Sequence, residues 1–119
     1  VHDEAPARRE ALELGDVVIP DDGYLVIAAN NAAGEVLANR DVIADVNWQN
    51  GPDALQLFDD LDELVDALQY GDAGEFNSGE GNPAPDASPG DSLTRDENNS
   101  DTNDNAADFS TSDNPSPGS

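Results

Sequence analysis

The apolar positions of this chain fall in short, separated runs. Val17-Val18-Ile19, Tyr24 to Ala29, Val42-Ile43, Leu55 to Phe58 and Leu64 to Tyr70 hold most of them, and after residue 74 the large apolar side chains are Phe76, Leu93 and Phe109. Val17 to Pro20 predicts a short β-branched strand. Asp21-Asp22-Gly23 reads as a turn in which Gly23 is free to take positive φ. Tyr24 to Ala29 has the compact pattern of a strand buried on both faces, and Val42 to Val46 predicts another strand after a loop through Asn30, Asn31 and Gly34.

Asp53 to Tyr70 supports two readings. As a helix, Leu57, Leu61, Leu64, Val65 and Leu68 form one apolar stripe with acids opposite. Asp53 or Asp59 would then cap its start and Gly71 would stop it. As a hairpin, Ala54 to Phe58 and Leu64 to Tyr70 are partner strands around Asp59 to Glu63. Periodicity alone favours the helix.

Composition changes the picture at both ends. The formal net charge is −23, from 27 acidic residues against four arginines, with no lysine and no cysteine. Such an excess repels nucleic acid and anionic membrane surfaces and opposes compaction. Salt relieves the repulsion, so a saline habitat and an acidic secreted protein are both open. No disulfide or thiolate chemistry is available, and no apolar run approaches the length of a membrane span. The chain opens on Val1 with no signal peptide of its own, and is expected to be a piece of a longer exported protein.

The pattern divides the chain into a linker at 1–9, a core at 10–73, a Gly- and Pro-rich loop at 74–91 and an acidic closing segment at 92–119. A core of about 65 residues is marginal on its own. Its bulk would come from Tyr24, Trp48, Phe58 and Tyr70, with Trp48 more readily core than a ligand-stacking platform. Residues 77–119, judged by composition alone, read as disordered. Gly51 and Gly71 would supply turn conformations, and Pro52 would set φ just before a strand.

Three blocks carry a family resemblance. Pro20, Gly23, Tyr24, Leu25, Val26, Ile27 and Ala28 form the first; Asn50, Gly51, Asp53, Leu55 and Leu57 the second; Val65, Asp66, Tyr70 and Gly71 the third. In order and spacing they resemble the lamin tail domain of bacterial surface proteins. The closing segment, with Ser92-Leu93-Thr94-Arg95, Asp101 to Phe109 and Pro115-Ser116-Pro117-Gly118, is also similar to that family. The resemblance implies an all-β fold: an immunoglobulin-like β-sandwich, partial because its first strands are missing, with a long acidic C-terminal segment. It favours the hairpin over the helix at 53–70. It also implies that residues 92–110 return to the sandwich through Leu93 and Phe109, with a final strand in the closing segment. Nothing before Glu10 matches the family's opening strands, and the turn at Asp59 to Glu63 lacks the family's glycine.

Catalytic chemistry is poorly supplied. The one histidine, His2, is terminal, and no lysine or cysteine can serve as nucleophile. Paired carboxylates are too common to single out a pair for acid–base work. Neither an enzyme nor a cofactor is expected. For a metal, Asp101, Asn103 and Asn105 repeat at the opening spacing of a calcium loop, and Asp96 and Asn98 make a second partial start. Ala106 then stands where glycine is wanted and Ser112 where a bidentate glutamate is wanted, so a solvated acidic loop competes with the calcium reading. Asn98-Asn99-Ser100 fits a glycosylation acceptor. The expectation is a non-catalytic interaction module of an extracellular or cell-surface protein, binding a protein or another domain of its parent chain. Its rivals are a calcium-dependent adhesion module and an acidic protein-binding helix at 53–70 with a disordered tail.

Overall fold

The computed structural model describes residues 2–5, 8–46, 48, 52–72 and 78–118, with side-chain detail from Ala11 onward. The described residues form an all-β structure: β1 (His2–Ala5), β2 (Arg8–Glu10), β3 (Ile27–Ala28), α1 (Gly34–Ala38), β4 (Val42–Ile43), β5 (Asp53–Phe58), β6 (Leu64–Tyr70), β7 (Ser92–Thr94), α2 (Asn105–Asp108) and β8 (Ser110–Ser112). They fall into two compact units, Val1–Ala11 with Trp48–Pro115, and Leu12–Asn47 with Ser116–Ser119.

The first unit is built on an antiparallel sheet in the order β2-β1-β5-β6. Residues 1–9, expected as a linker, supply β1 and begin β2. Asp53 to Tyr70 is the hairpin and not the helix, with Asp53 opposite Tyr70 and Leu57 opposite Asp66. The register slips by one between Leu57 and Phe58, which leaves Phe58 opposite Leu64. The turn explains why the helical stripe fails. Asp59 Oδ1 accepts the N–H groups of Leu61 and Glu63, each at 2.9 Å, and the Asp59 N–H donates to the Glu63 carbonyl at 2.9 Å. Asp62 sits at φ +59°, the left-handed region that a short polar side chain tolerates. An aspartate therefore does the work of the glycine missing from this turn. Asn50, Gly51 and Phe76, to which roles were assigned above, lie outside the described residues.

Directly paired residues share a face of an antiparallel ladder. One face of β5–β6 carries Ala54, Gln56, Ala67 and Gln69, and here Ala54, Ala67 and Gln69 are buried. The other carries Leu55, Leu57 and Leu68, of which Leu55 and Leu57 are exposed. The sheet thus buries Ala54, Ala67 and Gln69 and shows Leu55 and Leu57 to solvent. The reason is close backbone packing. A Cβ on Gly79 would lie 2.4 Å from Asn105 Oδ1 and 2.6 Å from Gln69 Cβ, so only small groups fit between this face and the segment over it.

The expected aromatic core does not form. Tyr24, Trp48 and Phe58 are exposed, and the buried apolar residues are Val26, Ala28, Ala54, Ala67 and Ala84. Tyr70 is half-buried, and its phenol is pushed up to about 12 by burial and then by the charges of Asp53 and Asp86. Gly71 follows at φ +72°, where a Cβ would meet Asp86 Oδ1 at 2.6 Å.

In the second unit β3 and β4 pair in parallel, Ile27 with Val42 and Ala28 with Ile43, on either side of α1. Two aspartates complete this short ladder. Asp41 Oδ2 accepts the Val26 N–H at 2.8 Å, and Asp45 Oδ1 accepts the Asn30 N–H at 2.8 Å. The long strand expected over Tyr24 to Ala29 shrinks to Ile27–Ala28, with Val26 and Ala28 buried and Ile27 exposed, so it is covered on one face only. Val17 to Pro20 is not a strand, and its apolar side chains are exposed. Pro20 accepts the Gly23 N–H at 2.9 Å, and the left-handed residue of that turn is Asp22, not Gly23. Gly23 is needed for contact, since a Cβ there would come within 2.5 Å of Pro20 Cγ.

Candidate functional site

The outer edge of β6 is an unpaired row of peptide groups unless something covers it. Ala84 begins the cover: its N–H donates to the Gln69 carbonyl at 2.7 Å, and its carbonyl accepts the Gly71 N–H at 2.9 Å. Asn105, at the start of α2, continues it with a side chain. Its Oδ1 accepts the Gln69 N–H at 2.9 Å while its Nδ2 donates to the Ala67 carbonyl at 2.8 Å. The amide therefore takes the place of a peptide unit in a neighbouring strand. The same Oδ1 accepts the Glu80 N–H at 2.9 Å, and the Asn105 backbone N–H donates to the Glu80 carbonyl at 2.8 Å. Asn105 is 0% exposed.

Beside this seam stands a charged node. Arg95, one residue beyond β7, directs Nη2 to both carboxylate oxygens of Asp66 on β6, at 3.2 and 3.1 Å. Its Nη1 donates to the Ser100 carbonyl at 2.6 Å and lies 3.8 Å from Asp101 Oδ1 and 3.8 Å from Asp108 Oδ2. The guanidinium carbon lies 4.4 Å from the centre of the Phe109 ring, a cation–π stack. The side chain is only 12% exposed. Asp108 is fixed from the other side, its Oδ1 accepting the Thr102 hydroxyl at 2.7 Å and its Oδ2 the Thr102 N–H at 2.8 Å. The Thr102 hydroxyl is the chief reason the Asp108 carboxyl is held below its ordinary value. Asp96 is lowered in the same way by the Ser100 hydroxyl, at 2.7 Å.

Glu80 is the misfit. Its Oε2 is buried and has no hydrogen-bond partner among the described residues. One carboxylate oxygen each from Asp66, Glu80 and Asp101 lie within 4.8 Å of one another. Burial, then the charges of Asp101 and Asp66, push the Glu80 carboxyl above its ordinary 4.5, and Arg95 pulls it back. One guanidinium faces four carboxylates, so the node keeps an excess of negative charge. A group whose folded pKa is raised contributes stability below its unfolded pKa, and this is lost as pH rises through the folded value. Glu80→Gln removes that loss. The variant is expected to melt higher than the parent at pH 7.5, with the gain shrinking as pH falls toward the unfolded carboxyl range. Melting followed by circular dichroism at pH 7.5 and pH 4.5 checks this, and an equal shift at both rejects it.

The three calcium candidates have different fates. Asp101 joins the node, and its Oδ1 also accepts the Asn103 N–H at 3.1 Å. Asn103 takes a left-handed turn position at φ +58°. Asn105 commits its carbonyl oxygen to two peptide N–H groups. Asp96 likewise folds its own loop, accepting the N–H groups of Asn98 and Ser100 and the Ser100 hydroxyl. Asp66 and Glu80 are distant from these in sequence; Asp66 was marked only through the family resemblance, and Glu80 carried no signal. The usable cue was Arg95, the one basic residue after Arg40. No family model, curated protein or solved structure matches the chain.

Proposed function

We propose that the chain is a non-catalytic interaction module of an exported or cell-surface protein, a sandwich of the lamin tail type that presents loops and hairpins to a protein partner or to another domain of its parent. The three sequence blocks support the family reading, and the all-β architecture agrees with it in class. The observation that carries the function is the β5–β6 hairpin. Its end holds large apolar side chains in solvent, on a turn clamped by the Asp59 carboxylate. A rigid apolar projection on an acidic, soluble chain is a presentation surface. No helix among the described residues is long and apolar enough to cross a membrane.

A photoreactive phenylalanine analogue in place of Leu61, in the whole parent protein, is expected to crosslink to one protein or domain on irradiation. The same analogue at Thr94 is expected to give none of that product. Identical products from both positions, or none from Leu61, reject the module as a binding surface. A second reading, a calcium-dependent surface module, draws on the unpartnered Glu80 oxygen beside Asp66 and Asp101. Calcium that raises the melting temperature of the parent but not of Glu80→Gln favours it.

A further inference from the structure

We propose that the end of the β5–β6 hairpin is a docking surface for a basic, amphipathic segment of a partner protein. The inference rests on the interaction-module reading and adds the surface and the chemistry of its partner. Phe58 and Leu64 pair directly across the end of the ladder with Leu61 in the turn between them, Leu57 and Val65 flank that pair, and the five are between 40% and 74% exposed. Single exposed leucines need no explanation, but five large apolar groups on one projection do. The buried face of the same hairpin is filled by Ala54, Ala67 and Gln69.

Charge selects the partner. Asp59, Asp60, Asp62 and Glu63 are interleaved with the apolar groups, and no arginine or lysine occurs between Arg40 and Arg95. Arg95 itself is held by Asp66 and the Ser100 carbonyl. The surface therefore offers apolar contact inside a rim of one sign, which fits a segment with leucine-like side chains on one side and lysine or arginine on the other. A second copy of this chain is a poor occupant, because each copy carries a charge of −23 and would bring the same acids face to face. Lipid is disfavoured for a related reason, since inserting Leu61 would carry the neighbouring carboxylates into the headgroup layer.

The turn is also built to bind without first being ordered. Asp59 fixes the N–H groups of Leu61 and Glu63, and Asp62 holds the left-handed corner. Little conformational freedom remains to be lost on association.

The test uses the whole chain and three synthetic peptides of about 18 residues, five turns of helix. One has leucine on one face and lysine on the other, one has serine in place of leucine, and one has glutamate in place of lysine. Binding is followed by calorimetry. The leucine–lysine peptide is expected to bind at least about tenfold more tightly than either control. Leu61→Ser and Leu64→Ser should each weaken it about tenfold with the melting curve unchanged, because both side chains are exposed. Asp60→Asn with Glu63→Gln should weaken it less and flatten its salt dependence. Equal binding of the serine–lysine peptide, unaffected by Leu61→Ser, overturns the proposal in favour of diffuse attraction to an acidic chain. Concentration-dependent self-association abolished by Leu61→Ser overturns it in favour of a second copy, and binding to phosphatidylcholine vesicles in favour of lipid. If Leu61 crosslinks to a partner through an acidic or uncharged segment, the interaction module stands and this inference falls.

Discussion

Replacing Asn105 with alanine is expected to remove most of the stability of the first unit. The side chain is fully buried and satisfies the peptide groups of Gln69, Glu80 and Ala67 with one amide. Alanine leaves the buried Gln69 N–H, the half-buried Glu80 N–H and the Ala67 carbonyl without their partner. An unsatisfied buried group costs about 1–3 kcal/mol, so three cost about 3–9 kcal/mol, comparable with the whole stability of a small domain at the low end of the ordinary range. The melting temperature should fall by roughly 15 °C or more. Asn105→Asp discriminates the mechanism. It keeps the shape and the acceptor but turns the donor facing the Ala67 carbonyl into an oxygen, and it buries a charge. It should be as damaging as alanine, whereas a merely space-filling side chain would tolerate it. Thermal melts of both variants decide the point. A fall of less than about 4 °C for alanine would show that the seam is held by Ala84 and the backbone alone.

The sequence made the strands visible and hid what joins them. Val65, Asp66, Tyr70 and Gly71 marked the second strand of the hairpin through a resemblance, while periodicity over the same residues pointed to a helix. Periodicity failed because a turn and a bulge of the right length bring Leu57, Leu61 and Leu64 into helical spacing by coincidence. Asp62 at positive φ was invisible because aspartate takes that conformation only when the local hydrogen bonds favour it. Asn105 was hidden more deeply. In a run of Asp and Asn it reads as a loop residue or a cation ligand, and only the tertiary approach of α2 to β6 makes it a substitute strand. The aromatic residues misled in the opposite direction. Size argues for burial, but this interior admits close backbone contact and therefore favours alanine, glycine and amides.

The acidic composition also has a structural meaning that a net charge conceals. Asp41, Asp45, Asp59, Asp96, Asp101, Asp104 and Asp108 each accept a backbone N–H. These carboxylates close turns and finish ladders in a chain whose strands are only two to seven residues long. For Asp96 and Asp108, whose folded pKa values are lowered, this contribution is present above the unfolded carboxyl range and is lost as pH falls through the folded values. Glu80 acts with the opposite sign. Neighbouring carboxylates of this region therefore respond to pH with opposite signs.

Arg95 is where those opposing effects meet, and its removal should be the second most damaging change. Arg95→Met keeps the apolar stem but deletes the contact to the Ser100 carbonyl, the pairing with Asp66 and the stack on Phe109. Asp66 is 38% exposed, so solvent takes over much of its pairing. The stack and the lost hydrogen bond together account for about 2 kcal/mol, or roughly 10 °C in melting temperature. The rest of the penalty falls on Glu80, which loses the one cation that offsets its repulsion from Asp101 and Asp66. Two consequences follow from that coupling. Arg95→Met should lose less stability at pH 4.5 than at pH 7.5, because the raised carboxyl of Glu80 carries less charge at the lower pH. Adding Glu80→Gln to Arg95→Met should restore more stability at pH 7.5 than Glu80→Gln gives in the parent chain, a coupling that a double-mutant cycle measures directly. Strict additivity of the two substitutions would separate Glu80 from the arginine and leave its unpartnered oxygen a local feature of the loop. A positive coupling makes the node a single electrostatic unit in which one guanidinium holds the closing segment against β6 and keeps four acids within reach of one another.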